Sequence, residues 1–434
     1  MKTPIGLGAY LELRNRQPDK KLVGVFVVKV SLKNQWIDEV AKFTDLRVGE
    51  ITTYKAATHN IAARIKNREK KLSDFIAKGP GDSSTTFVDF TDGINSIKDE
   101  IEQLKEEQKN VFSMMFDTDK YDIFVVNYEA LTDDEVKKKL HEVHPEFWYV
   151  DEIDYIKSPT AKRTMAVSGY NDAKYRFGAT ATPIRKNPLD LYGIFHFLKP
   201  DLFPKKYAFE QRYLKFYYGR ISGSKNEEEL AAKVEPYIFS RTMDEIADEL
   251  PSQLVYQIYC HFTEKQEKMW QRIYTEMQDL QDKLKELYER FTLEELAKNA
   301  EYQRLKNAVS ARQTFAQMQS DSEELLKMSE SKEAKNYVTG DGSQKVTACI
   351  AILEKIVSSG EKCVIFSKYR NMQDILKREI AKDKDLKGVV VSCIIGGMPG
   401  DERLRILKEY NTKDDHQVLL LSDAGEAGRL LPAA

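Results

Sequence analysis

Apolar runs punctuate the chain at 22–30, 121–127, 147–150, 174–182, 362–367, 388–395 and 417–421. They are short and rich in β-branched and aromatic residues. Those at 22–30 and 147–150 lack the alternation of a half-exposed strand and read as buried strands of a parallel sheet, and the others read as further strands. Helical patterns lie between them, at 4–13, 37–43, 133–143, 189–198, 345–357, 372–380 and 401–410. Ser31 offers an N-cap for the second of these helices, and Trp36 reads as a core anchor. Strand and helix alternate in two separate regions, which predicts an α/β chain with two parallel-sheet lobes.

Two stretches break that alternation. Residues 55–120 predict an inserted pair of charged helices, the first with Ile61, Ile65, Leu72 and Ile76 on one face, the second at 94–114, split at Gly79-Pro80-Gly81. Between residues 224 and 339 there is no glycine, and a mostly helical region is expected. There Trp270, Ile273, Met277, Leu280, Leu284, Leu287 and Phe291 alternate spacings of three and four, a coiled-coil-like seam. Paired with a helix near 302–318, that seam makes an arm over 264–335, which packs within a helical domain or offers a surface to a protein partner. The organisation read from the pattern is a first lobe at 1–200 with its insert, a helical bridge and arm at 201–340, and a partial second lobe at 341–434.

Composition narrows the class. With 434 residues, two or three domains are expected. Net charge is only −2, so any nucleic-acid surface has to be a local patch. No apolar stretch reaches the ~20 residues that span a bilayer. The first residues lack the apolar core and cleavage site of a signal peptide. Cys260, Cys349, Cys363 and Cys393 form no C-x-x-C pair, the pattern of free thiols in a reducing, intracellular setting, cytoplasmic or nucleoid-associated.

Candidate chemistry gathers where the run at 147–150 ends in Asp151 and Glu152. Ligands of open α/β sheets bind at the carboxyl ends of strands. There an Asp can hold Mg²⁺ on a nucleotide and the Glu beside it can orient an attacking water; an acidic surface turn is the alternative. The small residues Gly178, Ala179, Thr180, Ala181 and Thr182 allow close backbone approach beside a phosphate site, or simply end a strand in a tight turn. His141 and His144 lack the spacing of a zinc-protease pair. The basic residues Lys66, Arg68, Lys70 and Lys71 read as a solvated face.

The order of motifs resembles a superfamily-two helicase of the Swi/Snf branch. S-L-K-N-Q-W at 31–36 resembles motif Ia, V-V-N-Y-E-A-L at 125–131 motif Ib, D-E-I-D at 151–154 the D-E-A-H box and G-A-T-A-T-P-I at 178–184 motif III. P-Y-I-F-S-R-T at 236–242, Leu250-Pro251 and F-T-E-K-Q at 262–266 match the bridge between lobes. V-I-F-S-K-Y at 364–369 is similar to motif IV, and the stretches 394–403 and 419–428 lead into motif V. Lys2 and Thr3 resemble the tail of motif I, G-x-G-K-T, with Met1 where its last glycine belongs. Arg429 and Leu430 depart from motif V, and motif VI with its arginine finger is missing.

The resemblance implies two RecA-like lobes that bind ATP between them and step along double-stranded DNA. It implies Lys2 on the β- and γ-phosphates, Thr3 and Asp151 on Mg²⁺, Glu152 activating water, and the threonines of 178–182 coupling nucleotide to lobe closure. Loops near Ser31, Asn127 and Gly396-Gly397 would hold the DNA through its phosphates. With motif I cut and motif VI missing, a weakly active or inactive fragment is expected. The rivals are a non-catalytic DNA- or protein-binding module and an RNA or single-strand helicase.

Overall fold

The structure, a computed structural model, describes residues 2–79, 87–217, 220–241, 245, 254–413, 415 and 417–422. It divides into two compact units, Met1–Ile238 and Phe239–Ala434.

The first unit is built on five strands, β1 (Gly24–Val28), β2 (Val48–Ile51), β3 (Ile123–Asn127), β4 (Phe147–Asp151) and β5 (Tyr175–Ala179), in the order β2-β3-β1-β4-β5. Every neighbouring pair is parallel. Successive residues of β1 explain the absence of alternation. Val25 and Val27 pack on one face with Phe124, Val126, Trp148 and Val150. Phe26 and Val28 pack on the other with Val125, Phe147 and Tyr149. Helices cover both faces, so each side chain is removed from water, and a large one contributes roughly 1.5–3 kcal/mol. Leu7 and Tyr10 of the helix Lys2–Asn15 and Trp36 and Val40 of the helix Lys33–Phe43 cover the second face. Because β1 lies between β3 and β4, the sheet has its switch point there, next to the acidic end of β4.

Several expectations are corrected. Ser31 is not an N-cap: Val30–Leu32 is a single 3₁₀ turn, the helix starts at Lys33, and Leu32 occupies the cap position without a side-chain bond. β2 was not anticipated. It is four residues long with Glu50 exposed, too short and too polar to stand out. The antiparallel hairpin of β6 (Leu214–Tyr217) and β7 (Arg220–Ser224) also escaped the pattern. In the insert, the helices His59–Lys78 and Phe87–Met114 pack through Ile61, Ile65, Ile97, Ile101 and Leu104. The second helix therefore begins earlier than residue 94. Ile76 is exposed, because Phe75 takes the inward position and stacks on Phe90 at 5.2 Å. Pro80 and Gly81 lie outside the described residues.

In the second unit, the helices Glu264–Arg290 and Ala300–Asp321 form the arm. Ile273, Leu284 and Leu287 of the seam are buried, whereas Phe291 is exposed as the C-cap residue. The described residues between 224 and 339 are mostly helical, as expected, but 254–262 are not: Val255, Tyr256, Ile258 and Tyr259 are β-branched or aromatic, and their side chains and that of Leu254 are exposed. The sheet has β8 (Cys363–Phe366), β9 (Val391–Ile394) and β10 (Val418–Leu421) in the order β8-β10-β9, all parallel. The helices Gln344–Ser358, Arg370–Lys382 and Gly400–Thr412 alternate with these strands. Thr242, Leu250-Pro251 and residues 423–434 lie outside the described residues, and with them parts of the bridge and motif V. All four cysteines are free.

Candidate active site

The site is built from the carboxyl end of β4 outward. Asp151 is the last residue of the strand and is almost fully buried. Its Oδ2 accepts a hydrogen bond from Trp36 Nε1 at 3.0 Å, and its Oδ1 accepts one from the Glu152 amide at 3.0 Å. Burial pushes the Asp151 carboxyl above the usual carboxylate range. The Trp36 bond opposes that shift, the Glu152 charge adds to it and Lys2 opposes it. Tyr128 donates from its hydroxyl to the backbone oxygens of Asp151, at 2.6 Å, and Glu152, at 3.2 Å. Burial first, then the nearby carboxylates, hold that phenol well above its ordinary value, so it stays a donor.

Glu152 sits in the left-handed region, with φ 50° and ψ 52°, which costs a non-glycine residue of order 1 kcal/mol. That turn presents its carboxylate to Lys2, whose Nζ lies 2.6 Å from Oε1. The helix Lys2–Asn15 is fixed from several sides. Tyr149 donates to the Lys2 carbonyl at 2.9 Å, Tyr10 donates to the Leu22 carbonyl at 2.8 Å, and Leu7 and Tyr10 are buried against the sheet. Gly6 is needed for this approach, because a Cβ there would fall 2.8 Å from the Tyr149 ring. Thr3, in the first turn of the same helix, is buried.

A second polar cluster adjoins the first. Ala179, at the end of β5, is paired in register with Asp151. Just beyond it, Thr180 donates to Asp154 Oδ1 at 2.9 Å, and the Thr182 amide donates to Thr180 Oγ1 at 3.1 Å. Arg185 Nε lies 3.0 Å from Asp154 Oδ2 and 3.2 Å from Thr182 Oγ1. Gly178 packs against Ile153, whose Cδ1 would lie 2.3 Å from any added Cβ.

The structure thus brings Lys2 to Glu152, beside Asp151, and sets the Gly178–Thr182 loop against the 3₁₀ turn Ile153–Ile156 that follows them. Ser31 lies half-buried in the turn after β1. Asn127 ends β3, where its Oδ1 accepts from the Ala130 amide at 2.7 Å. Gly396 and Gly397 are exposed in the turn after β9, in the second unit, with Gly397 at φ 83°. His141 stacks on Tyr170 at 4.7 Å, a packing role. Sequence reasoning missed Arg185 and the polar roles of Trp36, Tyr128 and Tyr149. Trp36 carries a signal, an indole in a helix just after the first strand, although the sequence alone points to a core anchor.

The residues' chemistry suits a hard cation: the buried Asp151 carboxylate and the Thr3 hydroxyl offer oxygen ligands of the kind Mg²⁺ takes. Asp151's raised pKa reflects burial beside a second carboxylate, an arrangement a bound cation would relieve.

Residues 4–363 match the profile of the SNF2-related domain, and residues 344–434 match that of the helicase conserved C-terminal domain. The chain is 26% identical over 326 residues to the TATA-binding protein-associated factor mot1 of Aspergillus fumigatus, covering 69% of this chain and 17% of that protein. It is 24% identical over 287 residues to the chromodomain-helicase-DNA-binding protein 1-like of Mus musculus, covering 66% and 29%. It therefore spans under a third of either relative. Among solved structures it is similar to the Sulfolobus solfataricus SWI2/SNF2 ATPase core in complex with dsDNA, at 20% identity and a TM-score of 0.37, over 96% of this chain and 70% of that one.

Proposed function

The chain belongs to the SNF2-related domain family, and on that premise we propose that it is the ATP-hydrolysing core of a translocase that moves on double-stranded DNA. One observation carries the reading. Lys2 and Glu152, far apart in sequence, meet as an ion pair of 2.6 Å at the carboxyl end of a parallel sheet, beside the buried Asp151. A lysine, an aspartate and a glutamate at that place are the groups ATP hydrolysis uses.

Asp151 and Thr3 would hold Mg²⁺, which when bound neutralises charge on the phosphate oxygens. Lys2 would exchange its partner Glu152 for the β- and γ-phosphates of ATP. Glu152, released from that pair, would orient the attacking water and accept its proton. Trp36 and Tyr128 keep the end of β4 fixed while this happens. Gly178 to Thr182 would pass the change onward through Asp154. Ser31, Asn127, Gly396 and Gly397 would lie along the DNA backbone. No described helix is long and apolar enough to cross a membrane.

The test is ATP hydrolysis by this chain with and without duplex DNA, beside Glu152→Gln. That substitution keeps the side-chain shape and removes its basicity. Turnover should fall by about 10² or more while ATP binding persists. Equal turnover in the variant would overturn the role of Glu152. Salt-dependent DNA binding with no hydrolysis by the wild type would favour a non-catalytic binding module.

A further inference from the structure

Around Tyr155 the first unit gathers two cations that no acidic group claims. The Arg163 guanidinium lies over the Tyr155 ring, its Cζ 4.0 Å from the centroid, and Lys29 Nζ lies 5.1 Å from the same centroid. Separate elements supply the three residues. Lys29 directly follows β1, Tyr155 belongs to the 3₁₀ turn Ile153–Ile156 after β4, and Arg163 to the helix Lys162–Ser168. The ring packs on Tyr128 at 5.1 Å, and Thr164 Oγ1 ties the helix to the turn by donating to the Ile156 carbonyl at 3.1 Å. The acidic groups of the turn are committed elsewhere, Glu152 to Lys2 and Asp154 to Arg185, and among the described residues neither Lys29 nor Arg163 has an ion-pair partner. Arg163 Nε is buried without a hydrogen-bond acceptor.

We propose that Lys29 and Arg163, held on Tyr155, form an anion site that takes a phosphate group, either of a nucleic-acid backbone or free in solution. The ring face attracts each cation but supplies no acceptor, and two like charges beside one ring repel each other. A buried donor left without an acceptor calls for a partner such as an ion. Phosphate is the anion that fits: its oxygens match the planar fork of a guanidinium and point in several directions, so one group serves both cations. All three residues are half-buried, so a ligand can reach them. They stand beyond the carboxyl ends of β1 and β4, the end of an open α/β sheet where ligands bind. The site shares no residue with Lys2, Asp151 and Glu152, and it does not rest on the hydrolase reading.

The experiment follows labelling of Arg163 by phenylglyoxal, read by peptide mass spectrometry, in the full chain. Inorganic phosphate or a short DNA duplex should slow labelling of Arg163 about tenfold, the size of one charge-assisted hydrogen bond. Arg16, exposed and paired with Glu12, serves as the control and should label at an unchanged rate. Protection by micromolar duplex but only by far higher phosphate assigns the site to a nucleic-acid backbone, and the reverse order assigns it to free phosphate. Protection by neither, or equal protection of Arg16, would overturn the proposal. In Lys29→Ala, and in Lys29→Gln as a milder change, the ligand concentration that half-protects Arg163 should rise about tenfold. An unchanged concentration would mean that Arg163 acts alone and would overturn the shared site. Where the duplex is the ligand, the double variant Lys29→Ala, Arg163→Ala should lower the slope of log K against log salt by about 0.9, one phosphate's worth. A drop about twice as large would mean two separate phosphates and would also overturn it. None of these readings needs ATP turnover, so failure of the hydrolase reading leaves the test intact.

Discussion

At the scale of single residues, the site is held by side chains whose identity sequence reading undervalued. Trp36 is the clearest. Its ring fills the core against Phe26 and Tyr149, at 5.5 Å from each, while its N–H serves the buried Asp151 carboxylate. A hydrogen bond to a buried charged group is worth about 1.5–3 kcal/mol. Trp36→Phe should therefore lower unfolding stability by at least that amount, measured by urea denaturation, but lost ring volume contributes too. A double-mutant cycle with Asp151→Asn separates the two effects. We expect a coupling of about 1 kcal/mol or more; additive losses would mean that the indole acts through packing alone. The acidic pair itself was legible, because an apolar run ending in two carboxylates has a physical meaning in an α/β sheet. The positive φ of Glu152 was not, since no local residue type announces it.

At the scale of elements, the fully buried strands β1, β3 and β4 could be read from their runs of apolar residues, and the long helices from their period. Short edge elements could not. β2 has one exposed position in four, and the β6–β7 pair carries a bulge between Lys215 and Phe216. Tertiary pairing, not local sequence, decides both. The junction between the arm and the second sheet also escaped notice. Glu323 there is fully buried and accepts from the Thr339 amide and hydroxyl, the Gly340 amide and the Gly342 amide. Burial raises its pKa, but these hydrogen bonds outweigh burial and hold it below the ordinary 4.5. A depressed folded-state pKa stabilises above the unfolded value, and the stabilisation is lost as pH falls through the folded value. Glu323→Gln should thus cost about 1–3 kcal/mol at neutral pH. Thermal unfolding of variant and wild type should converge as pH drops below about 4.5. A constant gap at all pH values would assign the loss to packing instead of charge.

At the scale of the whole molecule, the charge balance constrains how DNA can be held. The net charge is −2, so there is no long-range attraction of the chain as a whole for a polyanion. In the most basic helix of the first unit two of the cations are already paired across the insert, Arg64 with Glu107 and Arg68 with Glu100. Affinity for duplex DNA therefore has to come from a few direct phosphate contacts, and such contacts carry little sequence information. Each phosphate neutralised on duplex DNA releases counterions and adds about −0.9 to the slope of log K against log salt. Titration of labelled duplexes at several salt concentrations should give a straight line with a slope of only a few units, the same for duplexes of unrelated sequence. A slope near zero would remove phosphate contact as the basis of binding and count against the translocase reading. Slopes or affinities that differ strongly between sequences would point to base contacts, which a motor that steps along any duplex cannot depend on.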